Sequence, residues 1–170
     1  RFISLRYLMI HMLSGITGSR KSSYSKKLRK QLNCEVVSTD ELRNLHPDWS
    51  EDLIWPEVYR LLSDALKNNI DVIYDATNIT PKVRNRIVTE IEKRGVKAII
   101  GVYFFDTSWK VCLKRVIKRN EMPGERYLPP EVVESYGKRV IKPTLDEGFE
   151  FIKIIKGGKI IKEVYKDVNS

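Results

Sequence analysis

The sequence predicts an α/β fold in which helices cover both faces of a central, mostly parallel sheet. Short runs rich in valine, isoleucine and aromatic residues alternate with helical segments, an order typical of parallel sheets. Polar or glycine-rich residues follow several of these runs, at the positions where such sheets bind ligands. The chain has 170 residues, enough for a substantial core, so we expect a single domain over residues 1–170.

Apolar spacing, helix caps and helix breakers predict the individual elements. Segment 51–68 carries apolar residues at helical spacing, and Thr80 followed by Pro81 is a typical helix start. Pro123 and Gly124 predict a loop at 120–127, and two consecutive glycines predict the turn of a closing hairpin at about 150–166. The predicted strands are 5–14, 35–37, 71–74, 97–105, 151–155 and 159–165. The predicted helices are 21–32, 40–45, 51–68, 81–94, 108–119 and 130–141.

Composition limits the classes of partner and compartment. The chain carries 31 lysine and arginine residues against 22 aspartate and glutamate residues, a formal charge of +9. This balance suits a nucleotide or nucleic acid partner, although it also serves solubility. Cys34 and Cys112 form no metal-ligand or disulfide pattern, which predicts a reducing, cytoplasmic compartment. Residues 1–13 are too short and too charged to span a bilayer and lack a cleavage site, so we expect neither membrane association nor a signal peptide.

A phosphate-binding loop is predicted at residues 15–22, between the first strand and the following helix. The segment matches the pattern Gly-x-x-x-x-Gly-Lys-Ser/Thr at every fixed position except one. Backbone N–H groups of such a loop bind phosphate oxygens, the lysine reaches the β- and γ-phosphates, and the hydroxyl ligates Mg²⁺. We therefore expect ATP and Mg²⁺ here rather than a simple strand–helix turn. The predicted nucleotide-binding residues are Gly15, Ile16, Thr17, Gly18, Ser19, Arg20, Lys21, Ser22 and Ser23, of which Lys21 is also a catalytic candidate.

Arg20 is the departure from this pattern, because it stands where the second glycine is expected. Glycine is favoured there for its permissive backbone angles and for close approach to phosphate. If φ is positive, an arginine at this position costs about 1–2 kcal/mol. Its guanidinium can also add positive charge beside the nucleotide.

Asp40 and Arg43 follow the second strand and lie three residues apart, on one face of a helical turn. A carboxylate beside a cation can activate an acceptor, because Asp40 can accept the proton of an attacking hydroxyl while Arg43 holds a neighbouring phosphate. Both are therefore catalytic and substrate-binding candidates. The alternative is a helix cap with a local ion pair.

The end of the third strand supplies Asp75, Thr77 and Asn78. An acidic residue at this position supports Mg²⁺ in P-loop enzymes, so Asp75 joins Ser22 as a metal candidate. Thr77 and Asn78 are candidates for orienting phosphate or acceptor. The alternative is an Asx turn that leads into the next helix.

Arginines cluster around the loop at 120–127 and predict a helical lid at about 115–130. Arg115 and Arg119 lie four apart on one helical face and can stabilise charge on a transferred phosphate, so both are catalytic candidates. Arg84 and Arg126 are further substrate-binding candidates. The alternative is a solvated basic helix.

Together these segments resemble the polynucleotide 5′-kinase branch of the P-loop kinases, which includes the bacteriophage enzyme, polynucleotide kinase-phosphatases and AAA-type kinases. The resemblance is carried by residues 15–22, by Ser-Thr-Asp-Glu-Leu-Arg at 38–43, by Asp-Ala-Thr-Asn at 75–78, and by 136–139 and 142–149. It implies a P-loop three-layer sandwich and a kinase acting on the 5′-hydroxyl of DNA or RNA. It further implies that Asp40 is the general base, that Arg43 contacts the adjacent substrate phosphate, and that Arg119 or Arg115 contacts the transferred phosphate.

Two other functions remain open at the level of sequence. Kinases with similar loops act on nucleosides, sugars or tRNA-linked acceptors, and the sequence alone does not distinguish these acceptors. The third possibility is a nucleotide- or nucleic-acid-binding module without turnover, which the irregular Arg20 would suit.

Overall fold

The computed structural model describes residues 7–167. Within these residues six strands form one sheet in the order β2-β3-β1-β4-β5-β6. The strands are β1 Met9–Ser14, β2 Glu35–Ser38, β3 Val72–Asp75, β4 Ile99–Phe105, β5 Phe151–Lys156 and β6 Lys159–Tyr165. The helices are α1 Lys21–Leu32, α2 Thr39–Leu45, α3 Glu51–Lys67, α4 Pro81–Lys93, α5 Trp109–Asn120 and α6 Pro130–Arg139.

The predicted parallel sheet is confirmed, because β1 to β5 pair in parallel and β6 alone is antiparallel. The carboxyl ends of β1, β2 and β3 therefore meet at one edge, where Asp75 is paired in register with both Leu13 and Ser38. The loops that follow these strands carry the predicted site residues.

Side-chain alternation along the central strand sends apolar residues to both faces of the sheet. Ile10 and Met12 of β1 join the core cluster that α3 and α4 cover, whereas Leu13 joins the cluster under α1. A third cluster contains Ile16 of the loop together with Cys112 and residues of α5 and α6. This third cluster fixes α5 and α6 beside the loop.

Most predicted boundaries agree with the structure to within one or two residues. Helix α1 has the predicted bounds, and the Thr80 hydroxyl caps α4 by accepting a hydrogen bond from the Val83 amide. The predicted first strand began at residue 5; residues 5 and 6 lie outside the described residues, and β1 begins at Met9. A short 3-10 helix, Leu145–Glu147, was not predicted.

The β5–β6 hairpin turns at Gly157 and Gly158, whose φ angles are 59° and 76°. Positive φ at two consecutive residues is the requirement of a tight hairpin turn, which glycine meets without strain. No helix among residues 7–167 is long and apolar enough to cross a membrane.

Candidate active site

The phosphate loop begins where β1 ends and is hydrogen-bonded to the segment that follows β3. The Gly15 amide donates to the Thr77 carbonyl at 2.8 Å, and the Ser19 amide donates to the Ile16 carbonyl at 3.2 Å. The Lys21 ammonium donates to the same Ile16 carbonyl at 3.1 Å. The buried ammonium therefore lies inside the curve of the loop, and helix α1 begins at this residue.

Gly18 is the closest point between the loop and α5. Its φ is 90°, and a Cβ added there would lie 2.7 Å from the Cys112 carbonyl oxygen. The Arg115 guanidinium donates to the Gly18 carbonyl at 3.0 Å. Gly18 is therefore required both by its backbone angle and by the approach of the helix, although it is not a fixed position of the loop pattern.

Arg20 adopts the left-handed backbone conformation that glycine normally supplies at this position, with φ 69° and ψ 32°. The loop thus keeps the geometry of the motif, and the arginine bears the conformational cost. Its exposed side chain lines two adjoining cavities. Arg20 accordingly places a cation beside the space that the loop encloses.

The first of these cavities, of about 360 Å³, brings together most of the predicted site residues. Residues from the loop and the start of α1, from α2, from the end of β3, and from α5 and the segment just after it line the cavity. They are Thr17, Gly18, Arg20, Lys21, Ser22, Ser23, Asp40, Asp75, Arg115, Val116, Lys118, Arg119 and Met122. Segments distant in sequence therefore meet at one concave surface that carries both cations and carboxylates.

Ser22 and Asp75 form the oxygen pair expected of a magnesium site. The Ser22 hydroxyl donates to the Asp75 carboxylate at 3.1 Å. Burial raises the pKa of the Asp75 carboxyl, and the Lys21 ammonium opposes this shift. Burial lowers the pKa of the Lys21 ammonium, and the Asp75 and Asp40 carboxylates oppose it. A hydroxyl and a carboxylate are ligands that Mg²⁺ accepts, directly or through water, so the donor set fits the ion.

Asp40 lies at the rim of the cavity with two arginines beside it. Arg43 donates to its carboxylate at 3.2 Å, and the Arg126 guanidinium approaches it to 3.6 Å. Arg43 also binds both carboxylate oxygens of Glu51, at 2.9 and 3.2 Å, and these hydrogen bonds lower the pKa of Glu51. Glu51 was not predicted, because eight residues separate it from Arg43 and its position at the start of α3 suggested only a helix terminus.

Arg119 reaches the cavity from the last turn of α5. Its Nε atom is buried and has no hydrogen-bond partner among the described residues. An unpaired buried donor is costly unless a ligand satisfies it. Because Arg119 lines the cavity, an anion bound there would lie next to this guanidinium.

Asn78 and Arg84 were predicted to bind substrate, and the structure instead places both in the interior. Arg84 is 1% exposed and binds both carboxylate oxygens of Glu147, at 2.9 and 3.1 Å, and the carbonyls of Asn78 and Ile141. Asn78 is also 1% exposed and donates to the Leu13 carbonyl at 2.9 Å. Because the guanidinium is fully engaged inside the protein, we correct the prediction for these two residues. Like them, Thr77 does not line the cavity, and its carbonyl holds Gly15.

The second cavity, of about 440 Å³, adjoins the first, with which it shares Arg20, Ser23 and Arg115. Tyr24 and Phe105 provide aromatic walls, and the Gly157–Gly158 turn borders it. Its position next to the phosphate loop and its aromatic lining suit a planar heterocycle.

Comparison with known proteins places the chain in a family. Residues 10–143 match the family model of the AAA domain. A search of curated protein sequences finds no significant match.

Among solved structures, the chain is similar to a component of the Pnkp1/Rnl/Hen1 RNA repair complex, with 25% sequence identity and a TM-score of 0.69. The match covers 80% of this chain and 45% of that chain, so this chain spans less than half the length of that component. It is also similar to a gluconokinase from Sinorhizobium meliloti 1021, with 14% identity, a TM-score of 0.56 and coverage of 89% and 83% of the two chains. A structure from the PezAT toxin–antitoxin system of Streptococcus pneumoniae matches with 16% identity, a TM-score of 0.68 and coverage of 96% and 74%. At these last two identities the likeness shows the fold alone.

Proposed function

The chain belongs to the AAA domain family of P-loop proteins, and from this membership and the cavity we propose that it is an ATP-dependent polynucleotide 5′-kinase. The observation that carries the proposal is the meeting of Lys21, Ser22, Asp40 and Arg119 around one cavity. Such a kinase needs a phosphate cradle, a metal site, a carboxylate beside the acceptor and cations at the transferred phosphate. The cavity has a residue suited to each of these tasks.

The triphosphate of ATP would lie along the loop at 15–22. Backbone amides and the start of α1 would bind its oxygens, and the Lys21 ammonium would reach the β- and γ-phosphates. Ser22, supported by Asp75, would hold Mg²⁺, which when bound neutralises charge on these phosphates. The adenine would occupy the second cavity, beside Tyr24 and Phe105, whose rings contact each other edge to face with their centroids 5.4 Å apart.

The acceptor would enter at the rim that Asp40 occupies. Its 5′-hydroxyl oxygen attacks the γ-phosphorus, the Asp40 carboxylate takes the hydroxyl proton, and the bond to the β–γ bridging oxygen breaks, releasing ADP. Arg43, oriented by its bidentate contact with Glu51, would hold the first phosphate of the strand. That anchoring phosphate is present in a polynucleotide and missing from a free nucleoside.

Arg119 and Arg115 would act on the transferred group from α5. Arg119 lines the cavity, and a cation fixed there stabilises the charge of a loose transition state. Arg115 is bound to the Gly18 carbonyl and so links α5 to the loop. We assign Arg119 to the transferred phosphate and Arg115 to positioning of the lid.

The similarity to a component of an RNA repair complex supports a nucleic acid acceptor, and the net charge of +9 agrees with it. The test is transfer of label from γ-³²P-ATP to a panel of acceptors. The panel contains a 5′-hydroxyl oligonucleotide, the same oligonucleotide with a 5′-phosphate, mixed nucleosides, gluconate and buffer alone. We expect label on the 5′-hydroxyl oligonucleotide and on nothing else.

Each of the other possible results would indicate a different function for this protein. Label on nucleosides or gluconate but not on the oligonucleotide would contradict the proposal and indicate a small-molecule kinase. ATP binding without transfer to any acceptor would indicate a binding module. The 5′-phosphate oligonucleotide is the matched control, because it differs from the expected substrate only at the reacting oxygen.

A further inference from the structure

Helix α5 carries two separate sets of basic side chains. Arg115 and Arg119 are half-buried and line the cavity. Lys110, Lys114 and Lys118 are exposed and recur every fourth residue. Residues four apart lie on one side of a helix, so these three lysines form a continuous line, which we call the lysine stripe.

No carboxylate neutralises the lysine stripe within residues 7–167. Helix α5 contains no aspartate or glutamate between Trp109 and Asn120. In the described part of the chain none of the three lysines forms an ion pair, and the Lys110 ammonium lies 5.9 Å from the centroid of the Trp109 ring. Other surface lysines, such as Lys138, do pair with a nearby carboxylate. The stripe therefore presents uncompensated positive charge to solvent.

The stripe also has a direction. Steps of four residues advance about 6 Å along a helix and turn about 40°, so the line is about 12 Å long and oblique to the axis. The turn carries the later lysines towards the face of Arg115 and Arg119. Lys118, at one end, lines the cavity, whereas Lys110 and Lys114 do not. The stripe is thus a cationic path that leads out of the candidate active site.

We propose that the lysine stripe binds the phosphodiester backbone of a single-stranded nucleic acid whose 5′ end occupies the cavity. The proposal rests on the polynucleotide kinase function and extends it from the reacting end to the body of the strand. Evenly spaced cations along a line complement the evenly spaced phosphates of a strand, and a line of about 12 Å is long enough to meet more than one phosphate. Continuity with the cavity gives the strand its polarity, with nucleotides nearer the 5′ end at Lys118 and later ones at Lys110.

The test uses fluorescence anisotropy to measure how tightly the full chain binds a fluorescent, single-stranded 12-mer oligonucleotide with a 5′-hydroxyl. The affinity is measured at several salt concentrations. The variant is Lys110→Gln/Lys114→Gln, which spares Lys118 because that residue lines the cavity. The control is Lys67→Gln/Lys97→Gln, which removes the same charge from two exposed lysines just before β3 and β4, at the opposite end of the sheet. Both double variants lower the net charge equally, so only position differs.

Each phosphate contact to a single strand contributes about 0.7 to the slope of log affinity against log salt. Loss of two contacts should lower the slope by about 1.4, which weakens binding about 25-fold at 0.1 M salt. The control should keep the wild-type slope. A slope equal to wild type in the stripe variant, or an equal loss in the control, would overturn the proposal.

Two further measurements distinguish this proposal from binding of an acidic polypeptide and from the proposed kinase function. A polyglutamate 12-mer should bind the wild-type protein and the stripe variant with the same affinity. If the stripe variant instead loses affinity for polyglutamate but not for the oligonucleotide, the lysine stripe would be a binding site for an acidic polypeptide. Transfer to a dinucleotide with a 5′-hydroxyl should be unchanged in the stripe variant, since that acceptor ends before Lys114. If no acceptor is phosphorylated but the salt slope for the oligonucleotide falls as expected, the lysine stripe proposal is supported and the proposed kinase function is contradicted. If phosphate is transferred to the oligonucleotide but the slope is unchanged, only the lysine stripe proposal is contradicted.

Discussion

The Ser22 hydroxyl donates a hydrogen bond to the Asp75 carboxylate across 3.1 Å and so joins the first turn of α1 to the end of β3. The two residues are 53 positions apart in the sequence. They meet because β1 and β3 are parallel neighbours whose carboxyl ends lie at the same edge. This contact organises the candidate metal site, and the first prediction concerns its titration.

As the pH decreases, the affinity of this site for Mg²⁺ should begin to fall at a higher pH than it would at a site with an exposed aspartate. Burial raises the pKa of Asp75, so as pH decreases its carboxylate gains a proton above the usual aspartate value of about 4. The protonated group is a poor metal ligand and no longer accepts a full charge-assisted bond from Ser22. The measurement is the Mg²⁺ concentration for half-maximal ATP turnover across pH. A requirement for Mg²⁺ that stays constant down to pH 4 would contradict this role of Asp75.

Lys21→Ala should weaken nucleotide binding about 100-fold without unfolding the chain. The ammonium is buried within the loop, and loss of one charged contact to phosphate of this kind weakens affinity by about 100-fold. Titration calorimetry with ATP measures the effect, and circular dichroism checks the fold. Lys30→Ala, an exposed lysine of the same helix that lines neither cavity next to the loop, is the control and should bind as wild type does. ATP affinity of Lys21→Ala within threefold of wild type would refute the loop assignment.

Glu147→Ala should destabilise the fold by about 3 kcal/mol, because it leaves the fully buried Arg84 guanidinium without its carboxylate. Urea unfolding measures the free-energy change. The control, Glu57→Ala, removes the carboxylate from an exposed ion pair with Arg60 and should have a much smaller effect. Equal losses in the two variants would mean that Arg84 does not depend on Glu147.

Arg20→Gly should stabilise the fold by about 1 kcal/mol. A left-handed arginine costs about 1–2 kcal/mol, and the greater chain entropy of glycine returns part of that gain. Arg20→Asn is the matched variant, since asparagine tolerates the left-handed region better than arginine and also removes the charge. Urea unfolding should rank glycine above asparagine and asparagine above arginine. Arginine as the most stable of the three would show that its side chain makes contacts that outweigh the backbone cost.

The elements that position the site were predictable because their signals are local. The Thr80-Pro81 start of α4 and the glycine turn at 157–158 each depend on a few adjacent residues. The phosphate loop at 15–22 was equally predictable, because the strand, the glycines and the lysine follow one another directly in the sequence. Local signals of this kind also placed Asp40 correctly at the carboxyl edge of the sheet.

The errors concern contacts between residues far apart in sequence. Arg84 was predicted to bind substrate, and nothing near it in sequence indicates its partner, Glu147, which is 63 residues away. Glu51 resembled a helix terminus, and only the fold shows that it holds Arg43. Both cases reflect the same limit, since a charge is assigned to solvent, substrate or partner only when the three-dimensional arrangement is known.

The central claim is that Asp40 activates a 5′-hydroxyl toward ATP held by the loop, and the rate of Asp40→Asn tests it most directly. The substitution keeps the size of the side chain but removes its ability to accept the proton, an effect worth at least about 100-fold in rate. Asp40 is exposed and its ion pairs are at the surface, so the fold should be unchanged. Asp48→Asn, an exposed aspartate between α2 and α3, is the control and should turn over as wild type does.

The measurement is the single-turnover rate of label transfer from γ-³²P-ATP to a 5′-hydroxyl oligonucleotide, with ATP affinity determined on the same preparations. The account predicts that Asp40→Asn binds ATP as wild type does and transfers label at least about 100-fold more slowly. Transfer at the wild-type rate by Asp40→Asn would contradict it.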